Sequence, residues 1–403
     1  MYKHKWTVQT VPILVILALF LSACTYDSFR KPATSSEDWA LHLGDKAPVK
    51  INSDSSYNIP VIDFLNDKTG FAVKQKYAES LTLISTKDGG AHWNEKKLPG
   101  QLVRSLDFFD ANTGWLLIQE DCSAKGTIVC SKIRLLQTKN AGTTWTTKWQ
   151  ASSKEDNSHV FSNLHRLSFQ DSKNGLMLAN GSLFITRDGG SHFKPVSFGI
   201  KDFTPLYMSF PNSQTGYVAG SVGKDAGKLV VLKTANGTRN WQKQLELKGE
   251  NGPLSSLGIQ FVNERTGWLL TNEEGMLSGD LYRTTDGGKH WMKMSTQRTG
   301  RPTPTDFRLA DDNTGVMSLH PGAGPIEGGI RITHDGGKSF TDVAPNGVVA
   351  INQVQMLTAK QIWAAGDGMN ESGYLLHSND GGETWKEFYP VVHPLPQRIE
   401  VFQ

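Results

Sequence analysis

Thr86-Lys87-Asp88-Gly89-Gly90-Ala91-His92-Trp93 decides the reading of this chain, because the pattern returns six more times. The copies are Thr138 to Trp145, Thr186 to Phe193, Thr234 to Trp241, Thr284 to Trp291, Thr333 to Phe340 and Ser378 to Trp385. Their third residues are Asp88, Asn140, Asp188, Asn236, Asp286, Asp335 and Asp380, at intervals of 52, 48, 48, 50, 49 and 45 residues. A steady period near fifty means a propeller, a solenoid or an array. A second signal stands upstream of each copy, as in Asn66-Asp67-Lys68-Thr69-Gly70-Phe71 and Asp110-Ala111-Asn112-Thr113-Gly114-Trp115. It returns around Gly175, Gly216, Gly267 and Gly315, and loosely at Thr358 to Trp363. Each is read as a tight turn whose Gly takes a positive φ cheaply.

Each unit therefore reads as strand, Thr-Gly turn, strand, longer loop, strand, Asp-Gly-Gly turn, strand. The residues before the first turn alternate as a strand should. One face carries Phe64, Phe108, Phe169, Phe210, Phe261, Leu309 and Met356, and the positions just before these are Asp63, Asp107, Ser168, Ser209, Gln260, Arg308 and Gln355. Stacking such meanders radially shelters their edges, which is the propeller solution; a linear solenoid would need polar capping repeats that neither end shows. The expected fold is all-β, a single seven-bladed β-propeller of four-stranded antiparallel blades over residues 58–403. Arg398 to Phe402 or the segment before the first blade is expected to help close the ring.

The chain has 403 residues and a net charge of +3. Lys3 and Lys5 lie in a segment expected to be removed, and without them the charge is +1. No one-signed field is present that would hold nucleic acid by counterion release. That leading segment has a basic start, an apolar run from Val11 to Leu21, then small residues, which is a signal-peptide layout too short for an ordinary spanning helix. Leu21-Ser22-Ala23-Cys24 resembles the lipobox of bacterial lipoproteins, which implies lipidation of Cys24 and removal of residues 1–23. More than one acyl chain on one residue meets the requirement for stable anchoring. Residues 24–57 are polar and read as a tether. The expected location is extracytoplasmic, lipid-anchored to a bacterial cell membrane.

The octapeptide resembles the Asp-box, the bacterial neuraminidase repeat. Its chemistry is structural: the Asp or Asn oxygen accepts backbone N–H groups in its own turn, Gly supplies positive φ, and Trp or Phe packs back between strands. Asn140 and Asn236 fit, since an amide keeps the acceptor but could not serve as an acid. His92, His192 and His290 share one box position and read as turn residues rather than a metal cluster. Gly336-Gly337-Lys338-Ser339 lacks the leading Gly of a phosphate loop, and neither His-Glu-x-x-His nor Cys-x-x-Cys occurs. No metal and no cofactor is expected. Cys122 and Cys130 remain after the lipid Cys, and outside the cytoplasm a hairpin disulfide is expected, contributing roughly 2.5 kcal/mol in the chain-entropy model.

In an up-and-down blade the Thr-Gly and Asp-box turns share one end, and the variable loops share the other. The loops read as variable are Asp121 to Lys132, Ser152 to Asn163, Ser221 to Lys228, Lys293 to Asp306, Pro321 to Gly329 and Gly366 to Gly373. Variable loops on a rigid scaffold are where binding usually resides. Arg298 and Arg301 lie in one loop, Arg308 on the inner strand after it, and Arg104 and Arg166 approach the same end on other blades. These five form the candidate basic binding face.

Three groups share the box. Sialidase activity implies an arginine triad, a Tyr nucleophile and an Arg-Ile-Pro element, whereas here the first blade reads Tyr57-Asn58-Ile59-Pro60. Xyloglucanases pair two propellers around a cleft, and this chain has one. The pairing of Asn/Asp-x-x-Thr-Gly-Trp turns with Thr-x-Asp-Gly-Gly-x-x-Trp boxes over seven blades looks like the photosystem II assembly and stability factor family. That resemblance implies a non-catalytic scaffold that binds a membrane protein or assembly intermediate through an arginine-bearing face; the expected protein is a monomer that binds a protein or envelope component. The alternative is a carbohydrate-binding or glycoside hydrolase propeller, with Asp63, Asp107 and Asp306 as its inner-strand carboxylates.

Overall fold

The computed structural model describes residues 57–388 except 77–78, 124–127, 153–165, 180, 224–226, 250–251, 274–279, 295–302, 321–328, 344–347 and 369–372. Seven four-stranded antiparallel sheets follow one another along the chain, spanning 58–98, 102–152, 166–195, 203–248, 254–293, 303–343 and 348–388. These are blades 1 to 7 of a β-propeller. In every blade the first strand is innermost and the fourth outermost. The first strand of each blade touches the preceding blade, and the first strand of blade 1 meets blade 7, so the ring is closed.

The boxes hold their turns as short-range chemistry requires. Thr86 Oγ1 donates to Asp88 Oδ1 at 2.9 Å and accepts from Gly90 N at 2.9 Å, while Asp88 Oδ1 accepts from His92 N at 2.9 Å. The same set recurs around Asn140, Asp188, Asn236, Asp286, Asp335 and Asp380. The N–H and ring of His92 hold the Asp88 carboxyl down to about 2. Each box turn then bonds the Thr-Gly turn beside it, as in Gly89 N to Lys68 O at 2.9 Å and Gly381 N to Lys360 O at 3.0 Å.

The Thr-Gly glycines correct one expectation. Gly70, Gly114, Gly175, Gly216, Gly267 and Gly315 do not take positive φ. They are required because the inner-strand side chain of their own blade lies where a Cβ would stand: 2.0 Å from Phe64 at Gly70, 2.1 Å from Phe210 at Gly216. Blade 7 has Ile362 at this position and pairs it with Met356, so the blade without the glycine is also the one whose inner residue is unbranched and pliant.

Between blades, the residue after that glycine stacks on the next blade's inner ring. Trp115 lies on Phe169, Tyr217 on Phe261, and Trp363 on Phe64 at 3.8 Å between centroids. The box aromatics meet the same rings edge-on, as Trp93 does Phe64 and Trp241 does Phe210. At the closing seam, Gln355 accepts from Phe64 N at 2.7 Å and donates to Phe64 O at 3.0 Å, and Gln353 accepts from Ile62 N at 2.8 Å. Closure among the described residues therefore runs through side-chain amides that imitate a strand. Arg398 to Phe402 and residues 1–56 lie outside the described residues, so the expected lipidation of Cys24 and the expected tether, Tyr57 apart, fall outside them too.

Candidate functional site

The two ends of the propeller differ in kind. At one end every box turn fills seven residues between strands (87–93, 139–145, 187–193, 235–241, 285–291, 334–340, 379–385). At the other end the connections run from two residues, at 180–181, to thirteen, at 153–165. Constant turns bonded to their neighbours build the scaffold, and connections of uneven length on a rigid scaffold are where binding usually resides.

Several segments read as loops are partly strand. The second and third strands of blade 2 continue through Gly114–Ser123 and Val129–Thr138, so Cys122 and Cys130 sit in a paired hairpin rather than a loop. Ser221 likewise belongs to Gly216–Val222, and Gly366 to Ile362–Gly368. Once a hairpin register is set, added residues extend the ladder before they become loop.

The candidate arginines come from different blades. Arg104 lies on Leu102–Phe108 of blade 2 and its Nε donates to Gln119 Oε1 at 2.7 Å. Burial lowers its pKa. Arg166 begins Arg166–Phe169 of blade 3, and its guanidinium lies 4.5 Å from the centroid of the Tyr207 ring of blade 4. Its Nε is buried without a hydrogen-bond partner among the described residues. Arg308, on Thr303–Leu309 of blade 6, donates from Nη1 to Asp306 Oδ1 at 2.6 Å and to Phe307 O at 2.7 Å. The structure thus puts Arg104 and Arg166 on neighbouring inner strands and Arg308 on a blade that borders neither. Arg298 and Arg301 fall outside the described residues. Tyr207 and Gln119 are the partners that sequence reading missed. Tyr207 was findable, since it precedes Phe210 by the same three positions as Arg166 precedes Phe169.

The inner-strand carboxylates stitch blades. Asp63 Oδ2 accepts from Phe108 N and Asp107 Oδ2 from Phe169 N, each at 2.5 Å. Asp306, nearly buried, pairs with Arg308 and takes Val354 N at 3.4 Å. Burial raises the pKa of Asp63, with the Asp107 charge adding to it, and burial raises that of Asp107. Both pKa values exceed the unfolded one, so their contribution to stability is full below about pH 4 and is lost as pH rises through the raised values. Asp63→Asn keeps the acceptor for Phe108 N and removes the charge. It is expected to stabilise by about 1–2 kcal/mol at pH 8 and by almost nothing at pH 4, read from urea unfolding at both pH values. Equal effects at both would refute the assignment.

His92, His192 and His290 each place Nδ1 2.6 Å from the Asp of their own box. No three His, Cys, Asp or Glu side chains converge on a metal position among the described residues.

Comparison with known proteins agrees with this architecture. Residues 147–305 match the family described as photosynthesis system II assembly factor YCF48. The photosystem II assembly lipoprotein Ycf48 of Synechococcus sp. (strain CC9902) is 28% identical over 141 residues, which cover 33% of this chain and 37% of that protein. The chain thus spans about a third of the length of that relative. The structure of YCF48 bound to D1 peptide superposes with a TM-score of 0.55 at 15% identity, covering 80% of this chain and 92% of that one. A puromycin-hydrolysing peptidase of Mycobacterium tuberculosis superposes with a TM-score of 0.58 at 10% identity, covering 85% of this chain and 54% of that one. At such identities the structural likenesses show the propeller fold alone. The chain is a Ycf48-like seven-bladed propeller in the sense of these resemblances.

Proposed function

We propose that this chain is a non-catalytic, assembly-factor-like scaffold, lipid-anchored through Cys24 outside the cytoplasm, whose uneven end binds a segment of a membrane protein. The observation that carries the reading is Arg166, stacked on Tyr207 from the neighbouring blade with a buried Nε that lacks an acceptor. A guanidinium held in place by an aromatic ring suits a carboxylate or a chain of carbonyls. The name of the Synechococcus relative, a lipoprotein, supports the anchor. The peptide-bound YCF48 structure supports a polypeptide ligand. The inner-strand carboxylates, which a hydrolase would need free, here accept backbone N–H groups of the next blade.

Affinity capture of the tagged, lipidated protein from crosslinked native membranes tests this. Arg166→Gln serves as the comparison, because it removes the guanidinium stacked on Tyr207. A stoichiometric membrane-protein partner is expected, reduced at least tenfold in the variant. A partner retained by the variant would move the binding face, and no partner would refute the reading.

A further inference from the structure

The hairpin of blade 2 is built in two parts. Up to Glu120, paired with Lys132, the ladder is continuous and reinforced by charge: Glu120 meets Lys132 Nζ at 3.4 Å and the Arg134 guanidinium. At Asp121 the chain turns into the left-handed region, φ 53°, inside what is otherwise extended strand. No register pair spans Asp121, and pairing resumes at Cys122 with Cys130 and Ser123 with Val129. A non-glycine residue in that conformation persists where its surroundings hold it. The next residue, Cys122, is bonded to Cys130 across the hairpin.

Beyond Asp121, the hairpin leans on the start of the blade 2 inner strand. Cys130, 8% exposed, packs on Leu102, with Cys122 and Ile128 beside it. Cys122 N donates to Gln101 Oε1 at 2.9 Å. Leu102 is two residues from Arg104, and Arg104 is held by Gln119 at the base of the same hairpin. The second strand of blade 1 ends with Lys76 after seven residues, whereas its counterpart in blade 2 runs for ten. That is about 10 Å of extra strand at roughly 3.3 Å per residue, standing at the uneven end.

We propose that the Cys122–Cys130 disulfide is a reversible clamp that fixes the outer hairpin against the strand carrying Arg104, making binding at the uneven end redox-dependent. The inference rests on the binding reading above. Its chemistry is thiol exchange with an extracytoplasmic protein dithiol. One thiolate of the dithiol attacks Cys122, the more exposed of the two, breaking the S–S bond and forming a mixed disulfide. Its second thiol resolves that bond, and the dithiol leaves as a disulfide. Two electrons and two protons end on Cys122 and Cys130 as thiols. Asp121 is then free to return to extended φ, and the two outer pairs lose their hold on Leu102 and Gln101.

Hydrogen exchange of the full mature chain, oxidised and after phosphine reduction, tests the clamp without any partner. The Cys122 and Cys130 amides are expected to exchange at least tenfold faster when reduced, and the Gln119 and Ile133 amides to change less than twofold. Cys122→Ser/Cys130→Ser should reproduce the reduced pattern. Unchanged exchange would overturn the clamp. So would loss of protection throughout blade 2, which would make the disulfide a staple of the fold. Membrane capture is then repeated in both redox states. At least a tenfold fall in captured partner on reduction supports the proposal, and equal capture overturns it while leaving the binding reading intact. Capture in neither state overturns the binding reading and the redox dependence with it, whatever exchange shows.

Discussion

Trp363→Ala is expected to destabilise the propeller by about 3–5 kcal/mol, the range for removing a buried Trp. Trp363 is fully buried, stacked on Phe64 at 3.8 Å on one side and on His377 at 4.1 Å on the other. It belongs to a cluster that joins Ala365 and Leu375 of blade 7 to Ile62 and Ala72 of blade 1. That cluster is the closing seam. Every blade takes its four strands from one continuous stretch of chain, so non-covalent contacts hold first and last together among the described residues. The cavity left by alanine would open beside the amide bonds of Gln353 and Gln355. Urea unfolding measures the loss, and exchange of the Ile62 and Phe64 amides locates it. A loss below about 1 kcal/mol, or one with those amides still protected, would show that the seam closes by other means.

Gly142→Ala should cost nearly as much for a different reason. Gly142 lies at φ 79°, and a Cβ there would stand 2.1 Å from Leu83 Cδ2 of the preceding blade. Leu83 is itself buried, 2% exposed, and cannot swing away. The left-handed backbone contributes about 1–2 kcal/mol and the overlap about another 1–3 kcal/mol. Gly199→Ala is the control, since Gly199 has φ 68° with nothing within 4 Å of a Cβ. It is expected to cost only the backbone part, about 1–2 kcal/mol. Leu83→Ala should be less damaging in the Gly142→Ala background than alone, a coupling that a double-mutant cycle reads directly. Equal losses at Gly142 and Gly199 would show that the blades yield to the added methyl.

Much of this was legible before any coordinates. A box is a closed local circuit: Thr86, Asp88, Gly90 and His92 satisfy one another within a few residues, so their identities could be read in isolation and counted seven times. The Thr-Gly glycine was legible as a requirement but not for its cause. Positive φ is the usual reason for a turn glycine, and here the reason is the ring of Phe64 or Phe210 lying over it. The arginine face was only partly legible. A charged residue on an inner strand can be placed on an end of the propeller, but Arg166 gains Tyr207 from another blade, and Arg308 is held by Asp306 two residues away.

By itself the sequence determined the blade count, the strand order within each blade and the end at which the turns are constant. These follow from hydrogen bonds and steric limits that act over a few residues and repeat with the chain's own period. Only the tertiary structure decided what each blade meets: Trp115 on Phe169, Asp63 on the Phe108 amide, and Gln355 on Phe64 across 291 residues. Those pairings depend on how far each sheet turns about the axis and on the ring coming round to its start. No local pattern records a distance of that kind.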